Sequence, residues 1–366
     1  MIYKSCGTTG KELSAIGFGG MRLPNPLDHQ QAIALLHTAR RAGITYFDTA
    51  PFYCDDQSED IFGEALRTMP ESPLPLYTSS KCQESSGDDF RRGLERSLAR
   101  LGVERITFFH IWCVMDPADW QQRVDGGALA AALRAKEEGL IEHVCVSTHM
   151  RGSEIEHLLT DHPEIELVTL GYCAINFPYR RQGVEAAGRL SKGVVAMNPL
   201  GGGLIPQNPS IFDFIRDPND PDVVTAALRF LISDPAITTA LIGFSSLEHI
   251  AAAQRAVEDF TPHSPDHLNN IRARIEQDFN EMCTGCGYCL PCPQGIPIPQ
   301  YMDIHNLLQL GVAPDAIQGR FTLHWHLQPD GAARCVDCGL CEARCTQHLP
   351  IIDRLKTIAA IHLRSE

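Results

Sequence analysis

The residues best placed to do chemistry are cysteines. Eight of the fourteen lie in the last quarter of the chain, in two sets. Cys283, Cys286, Cys289 and Cys292 form C-x-x-C-x-x-C-x-x-C, and Cys335, Cys338, Cys341 and Cys345 form C-x-x-C-x-x-C-x-x-x-C. Thiolates repeated at this interval on a tight turn converge on one metal centre, and in two-cluster ferredoxins the fourth cysteine of a run usually ligates the neighbouring cluster. Crossed ligation of two 4Fe-4S clusters is therefore expected. One would take Cys283, Cys286, Cys289 and Cys345; the other would take Cys335, Cys338, Cys341 and Cys292. The first run has only two residues before its last cysteine, and Thr346 stands where proline usually follows, so the cluster count is read more firmly than the pairing. Four-thiolate zinc sites use the same residues, but they are usually built from two paired C-x-x-C units, so the spacing favours iron.

A second constellation lies upstream. Reduction of a carbonyl by hydride needs an acid to protonate the developing alkoxide, and a tyrosine can serve when a neighbouring cation lowers its pKa. Asp48 ends the run FDTA, Tyr53 follows in APFY, Lys81 ends TSSK and His110 lies in FFHIW. Singly, each has an ordinary structural explanation: a helix cap, a rim aromatic, a surface cation, a core histidine. At the ends of successive strands they read together as an acid/base site.

The elements that must position these groups alternate in type. Short apolar runs at Ala15 to Gly19, Ile44 to Asp48, Leu76 to Lys81, Ile106 to Trp112, His143 to Ser147, Leu167 to Tyr172, Val194 to Met197 and Thr238 to Ile242 predict strands. Amphipathic stretches such as Gln30 to Ala42 and Asp88 to Leu101 lie between them, with Gly43 and Gly102 as helix stops. Eight repeats predict an α/β fold of the closed (β/α)8 TIM barrel type, with catalytic groups at the C-terminal strand ends. The barrel is expected over residues 1–260. A linker and helix follow over 261–282, the helix running from about His267 to Met282, and a mostly helical, ferredoxin-like two-cluster module occupies 283–366.

These stretches resemble the aldo-keto reductase family, in particular the group with a C-terminal ferredoxin-type extension. The matching segments are GFGGMRLP at Gly17 to Pro24, FDTAPFY at Phe47 to Tyr53, SEDIFGEAL at Ser58 to Leu66, Lys81, His110, VSTH at Val146 to His149, NPLGGGL at Asn198 to Leu204, and IGFSSLEHI at Ile242 to Ile250. The resemblance implies NADPH or NADH bound extended across the barrel mouth. It also implies Tyr53 as general acid/base, Lys81 and Asp48 tuning it, and His110 orienting the carbonyl. For the nucleotide it implies Gly20, Met21, Ser147, Thr148, Tyr172, Met197, Pro199, Leu200, Gly243, Ser245 and His249. Tyr172 stands where the family commonly has a carboxamide-binding glutamine, and Met197 where many members stack an aromatic ring. No cation stands at the usual 2′-phosphate position, the nearest being Arg255, so NADPH preference is not indicated.

Charge and composition narrow the class. A net charge of −14 excludes a nucleic-acid surface, and no apolar run is long enough for a membrane span. A cytoplasmic oxidoreductase is expected, acting on a small carbonyl or alcohol and exchanging electrons with ferredoxin or another carrier. Hydride transfer moves two electrons and each cluster one, and no flavin motif is visible to mediate. The alternative is a redox sensor or electron carrier that uses the barrel as a scaffold. Cys54, Cys82 and Cys113, close after Tyr53, Lys81 and His110, could line the mouth and are left unassigned, whereas Cys6, Cys145 and Cys173 are read as packing residues.

Overall fold

The computed structural model describes residues 1–24, 28–278 and 282–363. A hairpin of β1 (Tyr3–Ser5) and β2 (Glu12–Ser14) precedes eight parallel strands. These are β3 (Ile16–Gly19), β4 (Tyr46–Asp48), β5 (Tyr77–Cys82), β6 (Ile106–Val114), β7 (Ile141–Thr148), β8 (Leu167–Gly171), β9 (Gly193–Met197) and β10 (Thr239–Gly243). They pair in sequence order, and β10 closes on β3, so the (β/α)8 barrel is complete. The hairpin was not expected, because three-residue strands carry too little periodicity to be read.

Side chains two apart on a strand share a face, and this rule builds the site. Tyr46, Phe108, Cys145, Leu167, Val195 and Leu241 form a cluster inside the barrel, joined from below by Cys6 and Leu13 of the hairpin region. Two residues on, one layer higher, stand Asp48, His110, Thr169 and Met197. The opposite parity, with Phe47, Phe109, Val168, Leu170, Val194 and Ala196, packs beneath the helices. The helix Gly87–Leu101 shows how that layer is made. Phe90, Leu94, Ser97 and Leu101 bury one face, the Ser86 side chain accepts from the Asp89 N–H, and Gly102 ends it with φ 65°.

The helix Pro265–Asp278 begins two residues ahead of the expected His267, and the expected end, Met282, is not helical; beyond it the chain forms a second core. Ile298, Tyr301, Met302 and Ile304 of the helix Ile298–Gln309 meet Ile351, Leu355 and Ile358 of the helix Ile351–Ala359, with Cys341 and Cys345 on the same cluster. Asn306 fixes the first cysteine run, accepting from the Cys283 N–H at 3.0 Å and donating to its carbonyl at 2.8 Å.

This helical module is seated on the barrel mouth. Arg22 donates to the Gly285 carbonyl at 3.1 Å, and Arg320 to Gln207 at 2.9 Å. Gly202, at φ 70°, lies so close that a Cβ there would run into the Thr284 carbonyl. Gly202→Ala should therefore push the cysteine loop off the barrel as well as strain the backbone, whereas Gly139→Ala, at φ 77° with open space around it, incurs the strain alone. Thermal unfolding with iron analysis of both variants should show bound iron lost from Gly202→Ala only; equal behaviour would mean that the contact does not matter to the module.

Candidate active site and its cysteine-bearing wall

The acid/base set converges as the strand parity requires. Lys81 Nζ lies 2.6 Å from Asp48 Oδ2 and donates to the Thr49 carbonyl at 2.8 Å, with both charged side chains 2% exposed. Ser79 donates to the other Asp48 oxygen at 2.7 Å. Burial pulls the Lys81 ammonium below its usual range, and Asp48 opposes that pull. The ammonium stands 5.1 Å from the centre of the Tyr53 ring, whose edge meets Trp112 at 5.7 Å. Burial pushes the Tyr53 phenol well above its ordinary value, with Tyr288 and Asp48 adding to it, so the side chain is a neutral donor.

His110 shares the layer of Asp48 and Thr169 but does not itself line the cavity. It is fully buried, its Nε2 pairs with Thr169 Oγ1 at 2.9 Å, and burial pulls its pKa down to about 3. Thr169 is on the cavity wall and His110 stands behind it.

The cavity measures about 430 Å³. It runs from Asp48, Tyr53 and Lys81 past Met197 and the glycine-rich turn to Ser245, His249 and Ala253. Of the expected nucleotide residues, Gly20, Met21, Met197, Pro199, Leu200, Gly243, Ser245 and His249 line it. Ser147, Thr148 and Tyr172 do not. Ser147 is buried, and Thr148 donates to the Val114 carbonyl at 2.9 Å. Tyr172 has the outward parity of Val168 and Leu170 and packs between Phe177 and Phe230; the inward residue on this strand is Thr169. Arg255 is on the surface beside Asp222, and the cation on the wall is Arg22. Alternation along β8 could have flagged Thr169, and Arg22 lies within the GFGGMRLP segment.

The other wall belongs to the module. Cys286 and Tyr288 line the same cavity as Tyr53 and Lys81. Tyr288 meets His149 edge-on at 5.8 Å, and His149 Nδ1 is buried without a partner. Burial, then Arg180, pulls the His149 pKa down to about 3. Arg180 underpins this corner. Its guanidinium is 0% exposed and donates to the carbonyls of His149, Met150, Gly171 and Thr346 at 3.0–3.2 Å for the first three and 2.9 Å for the last. The carbonyls come from the loops after β7 and β8 and from the second cysteine run. Burial lowers its pKa to about 10.

The cysteines stand around two hollows. Cys283, Cys286, Cys289 and Cys345 surround one; Cys292, Cys335, Cys338 and Cys341 surround the other, with Cys289 touching both. Among the described residues no three of His, Cys, Asp and Glu meet closely enough to hold a single ion. Thiols ringed about a gap fit an inorganic core with several metal atoms.

Fold and site together define an oxidoreductase-type barrel with a cysteine-rich C-terminal module. Residues 15–276 match the Aldo/keto reductase family and residues 282–349 the 4Fe-4S dicluster domain. The chain belongs to the Aldo/keto reductase family. L-galactose dehydrogenase from Arabidopsis thaliana is 24% identical over 310 residues, covering 75% of this chain and 94% of that protein. 6-Dehydroglucose reductase from Novosphingobium aromaticivorans is 25% identical over 283 residues, covering 70% and 90%. The fold is shared with a holo aldo-keto reductase from Bacillus halodurans, at TM-score 0.63 and 20% identity over 75% of this chain and 96% of that one. It is shared equally with an aldo-keto reductase from Klebsiella pneumoniae in complex with NADPH, at TM-score 0.63, 21% identity and the same coverage, 75% and 96%. No helix among the described residues is long and apolar enough to cross a membrane.

Proposed function

We propose that the chain interconverts a carbonyl and an alcohol with NADPH or NADH, and carries two 4Fe-4S clusters that pass electrons to or from the same cavity. The observation that carries this reading is the shared wall: Tyr53, Lys81 and Asp48 face one cavity with Cys286 and Tyr288. The bound nicotinamide would supply or accept hydride. Met197, Asn198 and the turn Pro199 to Gly203 flank an elongated space suited to an extended dinucleotide, with Ser245 and His249 at its far end. Tyr53, kept protonated by burial, donates its proton to the developing alkoxide, while the Asp48–Lys81 pair fixes the charge behind it. The names of the two curated relatives make hydroxylated aldehydes and ketones the first substrates to try.

The inner cluster takes Cys283, Cys286, Cys289 and Cys345, and the outer one takes Cys292, Cys335, Cys338 and Cys341. The outer set is the one that opens to the surface, where Cys338, Val336 and Leu340 are exposed. Ferredoxin or another one-electron carrier would exchange electrons there, and thiolate clusters of this kind suit the reducing cytoplasm. Anaerobic protein should contain about eight iron atoms, and Cys345→Ser or Cys292→Ser should each reduce this towards about four. Titration with NADH and NADPH, with cluster absorbance and carbonyl reduction followed together, tests the whole reading. Bleaching or turnover with either nucleotide supports it. The absence of both, with no nucleotide binding, would favour the scaffold reading in its place.

A further inference from the structure

The cavity holds a second phenol that the scheme above leaves without a task. Tyr288 lies between Cys286 and Cys289 and shares the wall with Tyr53 and Lys81. Trp112 and Cys113 stand beside its oxygen. Trp112 also meets the Tyr53 ring in a T-shaped contact at 5.7 Å with an interplanar angle of 88°, so one indole neighbours both phenols. His110, the side chain expected to orient the carbonyl, has its Nε2 engaged by Thr169 and stands behind the wall.

The geometry points to Tyr288 as the group that orients the reacting oxygen, a second hydrogen-bond donor beside Tyr53 delivered by the cysteine loop. This rests on the carbonyl/alcohol reading given above. The indole of Trp112 can only donate, so it leaves the Tyr288 hydrogen uncommitted. The Cys113 sulfur is a weak acceptor, so a carbonyl oxygen carrying growing negative charge competes for that hydrogen successfully. Two neutral donors fixed in advance on one developing oxyanion stabilise the transition state more than the ground state, and loss of one such donor typically lowers kcat by about 10²–10³-fold. The loop that supplies Tyr288 is held at both sides by cysteines, so the donor is in place only when the inner thiols are gathered. A barrel reductase is thereby given a catalytic group from outside the barrel.

Tyr288→Phe keeps the ring against His149 and removes only the hydroxyl. The expected result is a fall in kcat of about 10²-fold at unchanged iron content, unchanged cluster absorbance and unchanged nucleotide affinity, with partial recovery in Tyr288→His. Wild-type kcat in Tyr288→Phe at full iron overturns the assignment. Should Tyr288→Phe lose iron, Trp112→Phe decides, since it lies in the barrel and leaves the loop sequence intact: a lowered kcat at full iron supports the assignment, and wild-type kcat overturns it. If the wild type reduces no carbonyl with either nucleotide, the carbonyl reading itself has failed. Quenching of tryptophan emission by benzyl alcohol then still tests the donor, tighter binding by the wild type than by Tyr288→Phe supporting it and equal binding overturning it.

Discussion

Lys81→Met should abolish carbonyl reduction and unfold the protein at a lower temperature. Lys81 is the sole cation described within reach of both Asp48 and the Tyr53 ring, and it is held by two oxygens at 2.6 and 2.8 Å. Removing it leaves a nearly buried carboxylate without its cation, a defect that costs about 3–5 kcal/mol. General acid catalysis of this kind contributes about 10²–10⁴-fold, and the loss should fall in that range. The double variant Lys81→Met with Asp48→Asn separates the two effects, because removing both charges removes the unpaired one. Stability should largely return while activity stays absent. Steady-state kinetics beside calorimetry on the three variants makes the check, and recovery of turnover in the double variant would show that the pair is structural only.

Arg180→Met should detach the cysteine module from the barrel. The guanidinium satisfies four carbonyls at a fully buried position, and among the described residues no carboxylate pairs with it. Methionine fills similar space but leaves those acceptors unpaired, at about 1–3 kcal/mol for each buried one. The loops after β7 and β8 would separate from Thr346, and with it from Cys345. Limited proteolysis should then release the module, and bound iron should fall. Arg181→Met, which removes a surface partner of Glu185, should behave as the wild type. Identical proteolysis of the two variants would show that Arg180 does not hold the halves together.

These two arginines also mark the limit of what the sequence discloses. They are neighbours in PYRRQG, yet one is entirely buried and the other pairs on the surface, because the difference is made by a segment more than a hundred and sixty residues away. The barrel strands were legible because each is a run of apolar residues with a helix behind it, and the ends fell within one or two residues at Asp48, Lys81 and Met197. The two cysteine runs were legible because ligand spacing within a run is local, whereas the exchange of Cys292 and Cys345 between them rests on the habit of two-cluster ferredoxins. Tyr172 was misplaced by strand parity: a strand that puts Leu167 and Thr169 inside must put a residue three beyond Thr169 outside. Tyr288 could not be placed at all, since nothing within a cysteine loop says which surface it will be pressed against.

The short hairpin at the start of the chain bears on traffic through the molecule. Leu13 and Cys6 fill the lower end of the barrel, and Lys4 is tied to the carbonyls of Ile232 and Asp234 at 3.0 and 2.7 Å, so that end is a floor. The opposite end is roofed in part by the cysteine loop. On the carbonyl reading proposed above, nucleotide and substrate would share the one doorway left. A shared doorway would favour an order of events, the larger molecule entering before the smaller and leaving after it.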